Sequence, residues 1–318
     1  MRPCSVPTLF LVMLIFLPGF VHGQGDFPSK PISLIMVQPA GGSGDLNARL
    51  IARLAEKHLG QPVVVINRPG GSGTVGTAAI AAAKPDGYTI GTLGNSPMVM
   101  VPHTTKLSYH PLKDFEPVLQ FGVNNWAISI RYDSPLQTLK DVVEHARQNP
   151  GVLTYGTGGP YSSTHIAMYM VTREAKVDIV HVPFKGGPES LTAVMGGHVT
   201  LAVGDFSAPL VKAKKLRVLA MILDQRWPDF PDVPTLKELG YTTTFPFFVG
   251  LGAPKGTPEP ILNKLEEAFT KATKDPEFVP GMRNIGVPVF HRNRRDFAAF
   301  IAKSYDQMGE IIEEMKKK

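Results

Sequence analysis

A chain of 318 residues, 43% hydrophobic and 19% charged, has the make-up of an ordinary globular protein with room for one large domain or two of common size. Its formal net charge of +6 is diffuse, and the basic runs at 292–295 and 316–318 lack the aromatic interleaving of a nucleic-acid surface, which excludes that partner. The single cysteine, Cys4, excludes a disulfide framework and a cysteine-ligated metal.

The first residues read as an export signal. Arg2 precedes the apolar run 9–17, Pro18 and Gly19 break it, and Val21-His22-Gly23 ends in a small residue suited to cleavage before Gln24. The run is too short for a comfortable membrane span. Cys4 precedes it, whereas a lipid-attachment cysteine would follow it. The expectation is a signal peptide over 1–23 and a mature periplasmic chain without cysteine, hence without a thiolate nucleophile.

The mature chain opens on an apolar run, Ile32 with Leu34-Ile35-Met36-Val37, the pattern of a strand buried on both faces. Pro39-Ala40-Gly41-Gly42-Ser43-Gly44 breaks it, and Asp45 is a candidate N-cap for a helix whose Leu46, Leu50, Ile51, Leu54 and Ala55 recur at helical spacing. A helix start behind a bare glycine turn suits an anion, because orphan N–H donors and the dipole point the same way. A tight βα turn that binds nothing is the alternative. A second buried strand follows at 63–66, then the glycine turn 67–73 and an alanine-rich helix over about 74–84. A third strand at 88–93 ends in Gly94-Asn95-Ser96-Pro97. Strands joined by helical crossovers imply a parallel sheet with helices on both faces. Gly71, Gly73 and Gly76 fit a G-x-G-x-x-G pattern, but the next strand ends without an acidic residue to hold a ribose. These glycines read as close helix–strand packing rather than a dinucleotide site.

Strands at 118–121 and 126–131 read as parts of one crossing segment. A helix then runs from Ser134 to about Asn149, where Pro150-Gly151 stops it. A second unit repeats the opening logic: a strand at 153–155, the turn Gly156-Thr157-Gly158-Gly159-Pro160-Tyr161-Ser162-Ser163-Thr164, and a helix from about His165. A strand at 177–182 leads through Phe184-Lys185-Gly186-Gly187 to a helix ending near Met195, with Lys185 read as a solvated side chain. A strand at 199–203 ends at Gly204-Asp205, and another spans 216–222. After the proline-rich connection 231–235 come a last strand at 247–253 and helices at 259–274 and 295–315.

Taken in order, Pro39-Ala40-Gly41-Gly42 with Asp45, Asn67-Arg68-Pro69-Gly70 with Gly73 and Gly76, Pro85-Asp86-Gly87-Tyr88-Thr89, Tyr155-Gly156-Thr157 with His165, Val182-Pro183-Phe184-Lys185-Gly186 and Asp232-Val233-Pro234-Thr235 resemble one family. It is that of the substrate-binding proteins of tripartite tricarboxylate transporters, the Bug family. The resemblance covers essentially the whole mature chain. It implies an α/β, type II periplasmic binding protein fold of two α/β domains with a ligand cleft between them. It also implies a small organic carboxylate held chiefly by backbone amides, hydroxyls and waters, and delivery to transporter subunits in the membrane. No cofactor and no metal are expected, since the histidines lack ligand spacing, and the expected state is a monomer.

Carried onto this chain, Ala40, Gly41, Gly42 and Asp45 form one wall, and Thr157, Gly158 and Ser162 the facing one. Asn95, Ser96 and Asp205 end other strands beside the same cleft. Asp45 either caps its helix or meets the ligand, and Asp205 is either a turn residue or a contact to a ligand hydroxyl, amine or water. Tyr161 and Thr164 stand where the family often has glycine, Phe184 where it often has tyrosine, and Gln38 where it has an aromatic or apolar residue. A ring at Tyr161 either narrows the cleft or turns to solvent. The expected domains are 26–121 with 245–318, and 122–244, because the glycine-turn units are separated by crossing strands. Two other readings compete. An exported hydrolase would use Ser162 and His165, but no G-x-S-x-G elbow or orienting acid accompanies them. A carboxylate-sensing binding protein would have no transport partner.

Overall fold

The computed structural model describes residues 27–223, 226–241 and 247–317. The expected signal segment 1–23 and the expected domain limits at 26 and 244–245 lie outside the described residues.

Apolar runs separated by glycine turns build the first unit. β1 (Ile32–Met36), β2 (Val63–Asn67) and β3 (Thr89–Gly94) alternate with α1 (Ser43–Leu59) and α2 (Thr74–Ala81). β1 pairs in parallel with β2, Ile32 opposite Val63, and with β3, Leu34 opposite Ile90. α1 buries Ala48, Ile51, Ala52, Leu54, Ala55 and Leu59. Leu46, expected on that face, is 45% exposed, because the apolar stripe starts one turn later than the leucine spacing suggests.

β4 (Phe115–Gly122) and β5 (Trp126–Arg131) belong to different sheets, so residues 123–125 carry the chain from one unit to the other. The second unit runs through α3 (Leu139–Gln148), β6 (Thr154–Thr157), α4 (Ser163–Ala175), β7 (Val180–Pro183), α5 (Gly187–Met195), β8 (Leu201–Asp205), α6 (Ala208–Lys212) and β9 (Leu216–Ile222). α3 starts at Leu139 rather than near Ser134 because Thr138 and Asp141 form a reciprocal capping box. The chain then returns with β10 (Val249–Pro254), α7 (Glu259–Thr273), α8 (Phe278–Ile285), β11 (Val289–Arg292) and α9 (Arg294–Lys316).

The two sheets have the orders β11-β4-β10-β3-β1-β2 and β7-β6-β8-β5-β9. β10 lies antiparallel between β3 and β4, with Val249 opposite Gly94 and Leu251 opposite Leu119. β5 lies antiparallel between β8 and β9. Each sheet has its own core, around Leu34, Phe121, Leu251 and Phe269 in the first and Ile128, Val142, Leu201 and Leu219 in the second. A third core joins the units. It packs Val37, Met98, Phe248 and Phe297 of the first with Ile166 and Met170 of α4, and Arg173 pairs with Glu314 beside it.

Close packing explains the last glycine of the G-x-G-x-x-G run. A Cβ on Gly76 would lie 2.7 Å from the Arg68 carbonyl oxygen and 3.0 Å from Val37 Cγ1. Gly76→Ala is expected to cost about 1–3 kcal/mol through overpacking, more than the ~1 kcal/mol a helix gains from alanine. The effect should read as a lower urea midpoint at unchanged slope, and a raised midpoint would contradict the packing.

Candidate ligand-binding site

Both glycine turns point at one cleft between the sheets, enclosing a cavity of about 90 Å³. Gln38, Pro39, Gly42, Ser72, Asn95 and Ser96 line it from the first unit, Trp126, Gly158, Ser162, Thr164, Lys185 and Gly204 from the second, and Asn124 from the segment that crosses between them. The walls touch. Ser96 Oγ accepts the Ser163 N–H at 3.1 Å, and Ser72 Oγ donates to the Gly158 carbonyl at 3.5 Å. Gly186 faces Pro39 so closely that an added Cβ would lie 2.9 Å from its Cγ.

The first wall is the start of α1. Its N-cap is Gly42, and no side chain caps it, so first-turn N–H groups lack the partner a Ser or Asp would supply. The expected cap, Asp45, is instead in the first helical turn, 3% exposed. Its Oδ2 accepts the Gly41 N–H at 3.0 Å and Arg49 Nε at 3.1 Å, while Oδ1 accepts Asn67 Nδ2 at 2.8 Å. Burial pushes this carboxyl up, but the bonds from Arg49, Gly41 and Asn67 outweigh it and hold it below its ordinary value. Asp45 thus ties the turn down from behind. Neither it nor Ala40 nor Gly41 lines the cleft, whereas Gly42 does.

The facing wall is the start of α4. Ser162 is its N-cap, and its Oγ accepts the His165 N–H at 3.3 Å, which is why the helix begins at Ser163. Ser162 Oγ also lies 3.2 Å from Thr164 Oγ1. Gly158 and Ser162 line the cleft, and Thr157 does not. Thr157 is fully buried beneath the turn, its Oγ1 2.7 Å from His181 Nε2. Tyr161 also stands outside the lining. Its φ is +52°, and its ring centroid is 5.9 Å from that of His165. That left-handed backbone is free to glycine and unfavourable to tyrosine.

Asn95 lines the cleft with only 3% exposure, and its Oδ1 accepts the Phe248 N–H at 3.1 Å. Asp205 closes β8, and its side chain lies outside the described residues. The sequence reading missed Ser72, Asn124 and Trp126. Ser72 was legible as part of the glycine turn assigned to packing, which both packs and lines; the crossing residues carry no motif. Lys185, read as solvated, is exposed and also lines the cleft.

Ser162 and His165 do not form a nucleophile and base. His165 Nδ1 accepts the Tyr161 N–H at 2.9 Å, and Ser162 Oγ faces the His165 main chain, not its ring. The His165 ring stacks instead on His181, 3.9 Å between centroids at 7°. Burial, with His181 adding to it, lowers the His165 pKa to about 4, and burial lowers that of His181 to about 4. Among the described residues no cluster of His, Cys, Asp or Glu could hold a metal, and no helix is long and apolar enough to cross a membrane.

Residues 47–316 match the family described as the tripartite tricarboxylate transporter family receptor. A protein in the gbd 5′ region of Cupriavidus necator is 37% identical over 299 residues, covering 92% of this chain and 90% of its own. The periplasmic binding protein BugD is 27% identical with a TM-score of 0.83, over 91% of this chain and 98% of its own. MatC of Rhodopseudomonas palustris, solved with bound malate, is 27% identical with a TM-score of 0.82, over 90% of this chain and 100% of its own.

Proposed function

We propose a function from one premise: the chain belongs to the tripartite tricarboxylate transporter receptor family. That family consists of solute-binding receptors of the periplasm, not enzymes. On that premise this protein, exported by cleavage of 1–23, captures a small organic carboxylate between its walls and passes it to the membrane subunits of a tripartite transporter. Residues 26–121 with 245–318 make one closing domain, and 122–244 the other, and the protein acts as a monomer. Gly42, Asn95, Ser96, Gly158 and Ser162 meet the ligand. Asp45, Thr157 and Tyr161 shape the turns behind them.

The observation that carries this reading is the uncapped start of α1 facing the Ser162-capped start of α4 across one cleft. Helix starts present N–H donors and a favourable dipole to an anion. The bound malate of MatC supports the class of ligand.

A thermal-shift panel of mono-, di- and tricarboxylic acids, malate included, tests it. An acid present at a hundred times its Kd stabilises the fold by about 2.7 kcal/mol and should raise Tm by several degrees. A panel in which no acid raises Tm would sink the proposal.

A further inference from the structure

Behind the second wall lie three groups that ligand capture leaves unused: His165 on α4, His181 on β7 and Tyr155 on β6. The imidazoles stack at 3.9 Å, and the Tyr155 ring lies 5.1 Å from that of His181. Each imidazole holds one end of the turn. His165 Nδ1 accepts the Tyr161 N–H at 2.9 Å. His181 Nε2 lies 2.7 Å from Thr157 Oγ1, and Gly159 N–H donates to that same hydroxyl at 3.3 Å. Gly158 sits between these anchors and Ser162 directly follows them, and both line the cleft. Tyr161 is held at a left-handed φ of +52° that its side chain disfavours, and His165 closes the same loop a second time through its own N–H to Ser162 Oγ.

Building on the carboxylate-receptor reading, we infer that the His165–His181 stack is the positioning element of the ligand-contacting turn and holds it only while both rings are uncharged. A backbone N–H only donates, so His165 Nδ1 must be unprotonated to accept it, and its ring proton sits on Nε2. A further proton sets a donor against a donor at Tyr161. It also sets a charge against a ring stacked at 3.9 Å. The titratable side chains facing the pair are Tyr155 from β6 and Tyr161 from the turn. Burial pushes the Tyr155 hydroxyl up, so it stays uncharged. Among the described residues no carboxylate shifts either ring toward the charged form. The turn is therefore held across the neutral range and released in acid.

Two variants separate positioning from bulk structure. His165→Asn supplies an Oδ1 acceptor near the place of Nδ1 and does not titrate, whereas His165→Leu supplies none. In ¹H–¹⁵N spectra of the ligand-free protein, the wild-type Tyr161 amide should titrate with a midpoint near pH 4, and that of His165→Asn should not. At pH 7 the Tyr161 amide should exchange at least tenfold faster in His165→Leu than in wild type, with His165→Asn close to wild type. Calorimetric titration with malate at pH 7.5 should place His165→Asn within about threefold of wild-type affinity and His165→Leu at least tenfold weaker. Equal Tyr161 protection in all three proteins, or an amide titration unchanged by His165→Asn, overturns the inference. If wild type binds no acid while its Tyr161 amide responds as expected, the receptor reading fails and the positioning role of the pair stands.

Discussion

Between pH 7 and pH 4 the fold is expected to lose about 3 kcal/mol of stability through His165 alone. Its folded pKa lies near 4, against an ordinary imidazole value of 6.5. Between those two values the unfolded chain binds a proton that the folded chain refuses. Stability is therefore complete above pH 6.5 and drains away as the pH falls toward 4, where the folded ring begins to accept its proton. His181 is shifted the same way by burial and adds to the loss over the same range. Asp45 adds a loss at still lower pH, because its carboxyl is held below the ordinary carboxylate value. Urea titrations at pH 7, 6, 5 and 4 check this, with His165→Asn removing the His165 share of the slope. A stability that stays level from pH 6.5 to pH 4 would show that the rings are not buried as a neutral pair.

Truncating Phe297 is expected to have the largest effect of any single side chain in the shared core. Phe297 is fully buried on α9 and meets Phe248 edge-to-face, 5.4 Å between centroids at 72°. Its ring lies so close over Gly250 that a Cβ there would come within 2.4 Å of it. Phe297→Ala removes that ring from a cluster that also holds Ile166 and Met170 of the second unit. The cost should be about 3–5 kcal/mol, read as a lowered denaturant midpoint. A loss below about 1 kcal/mol would mean that the cluster collapses around the hole, or is looser than its packing indicates.

The parallel units were legible because buried strands are near-continuous apolar runs and their turns are rich in glycine. α8, α6 and β11 were not. α8 contains Pro280 and Gly281, which read as breakers. It persists because Phe278 and Met282 are buried and Gly286 closes it in the left-handed conformation. α6 spans only Ala208–Lys212 with no buried residue, so no periodicity marks it. β11 exposes both Val289 and Phe290, so its apolar residues do not alternate as those of a half-buried strand do. At the site, glycine and hydroxyl content located both turns, but position along a turn does not tell which residues look inward. Gly158 and Ser162 face the cleft while Thr157 and Tyr161 lie behind it, a choice made by local φ and ψ values such as the +52° at Tyr161. Asp45 was ambiguous for a related reason: a carboxylate in the first turn of a helix satisfies backbone N–H groups whether or not it is the cap.

The glycine positions of the cleft, among them Gly42, Gly70, Gly94, Gly158, Gly186 and Gly204, bear on how such a protein changes over generations. Where main chain forms the wall, only a change to proline deletes a donor, because every other residue carries the same N–H. Drift is then channelled into the few side chains that intrude on that wall, such as Gln38, Asn124 and Lys185. On the proposed carboxylate reading, duplicated copies of the gene can diverge in the group each accepts beyond the anion while inheriting the same main-chain hold on the anion itself.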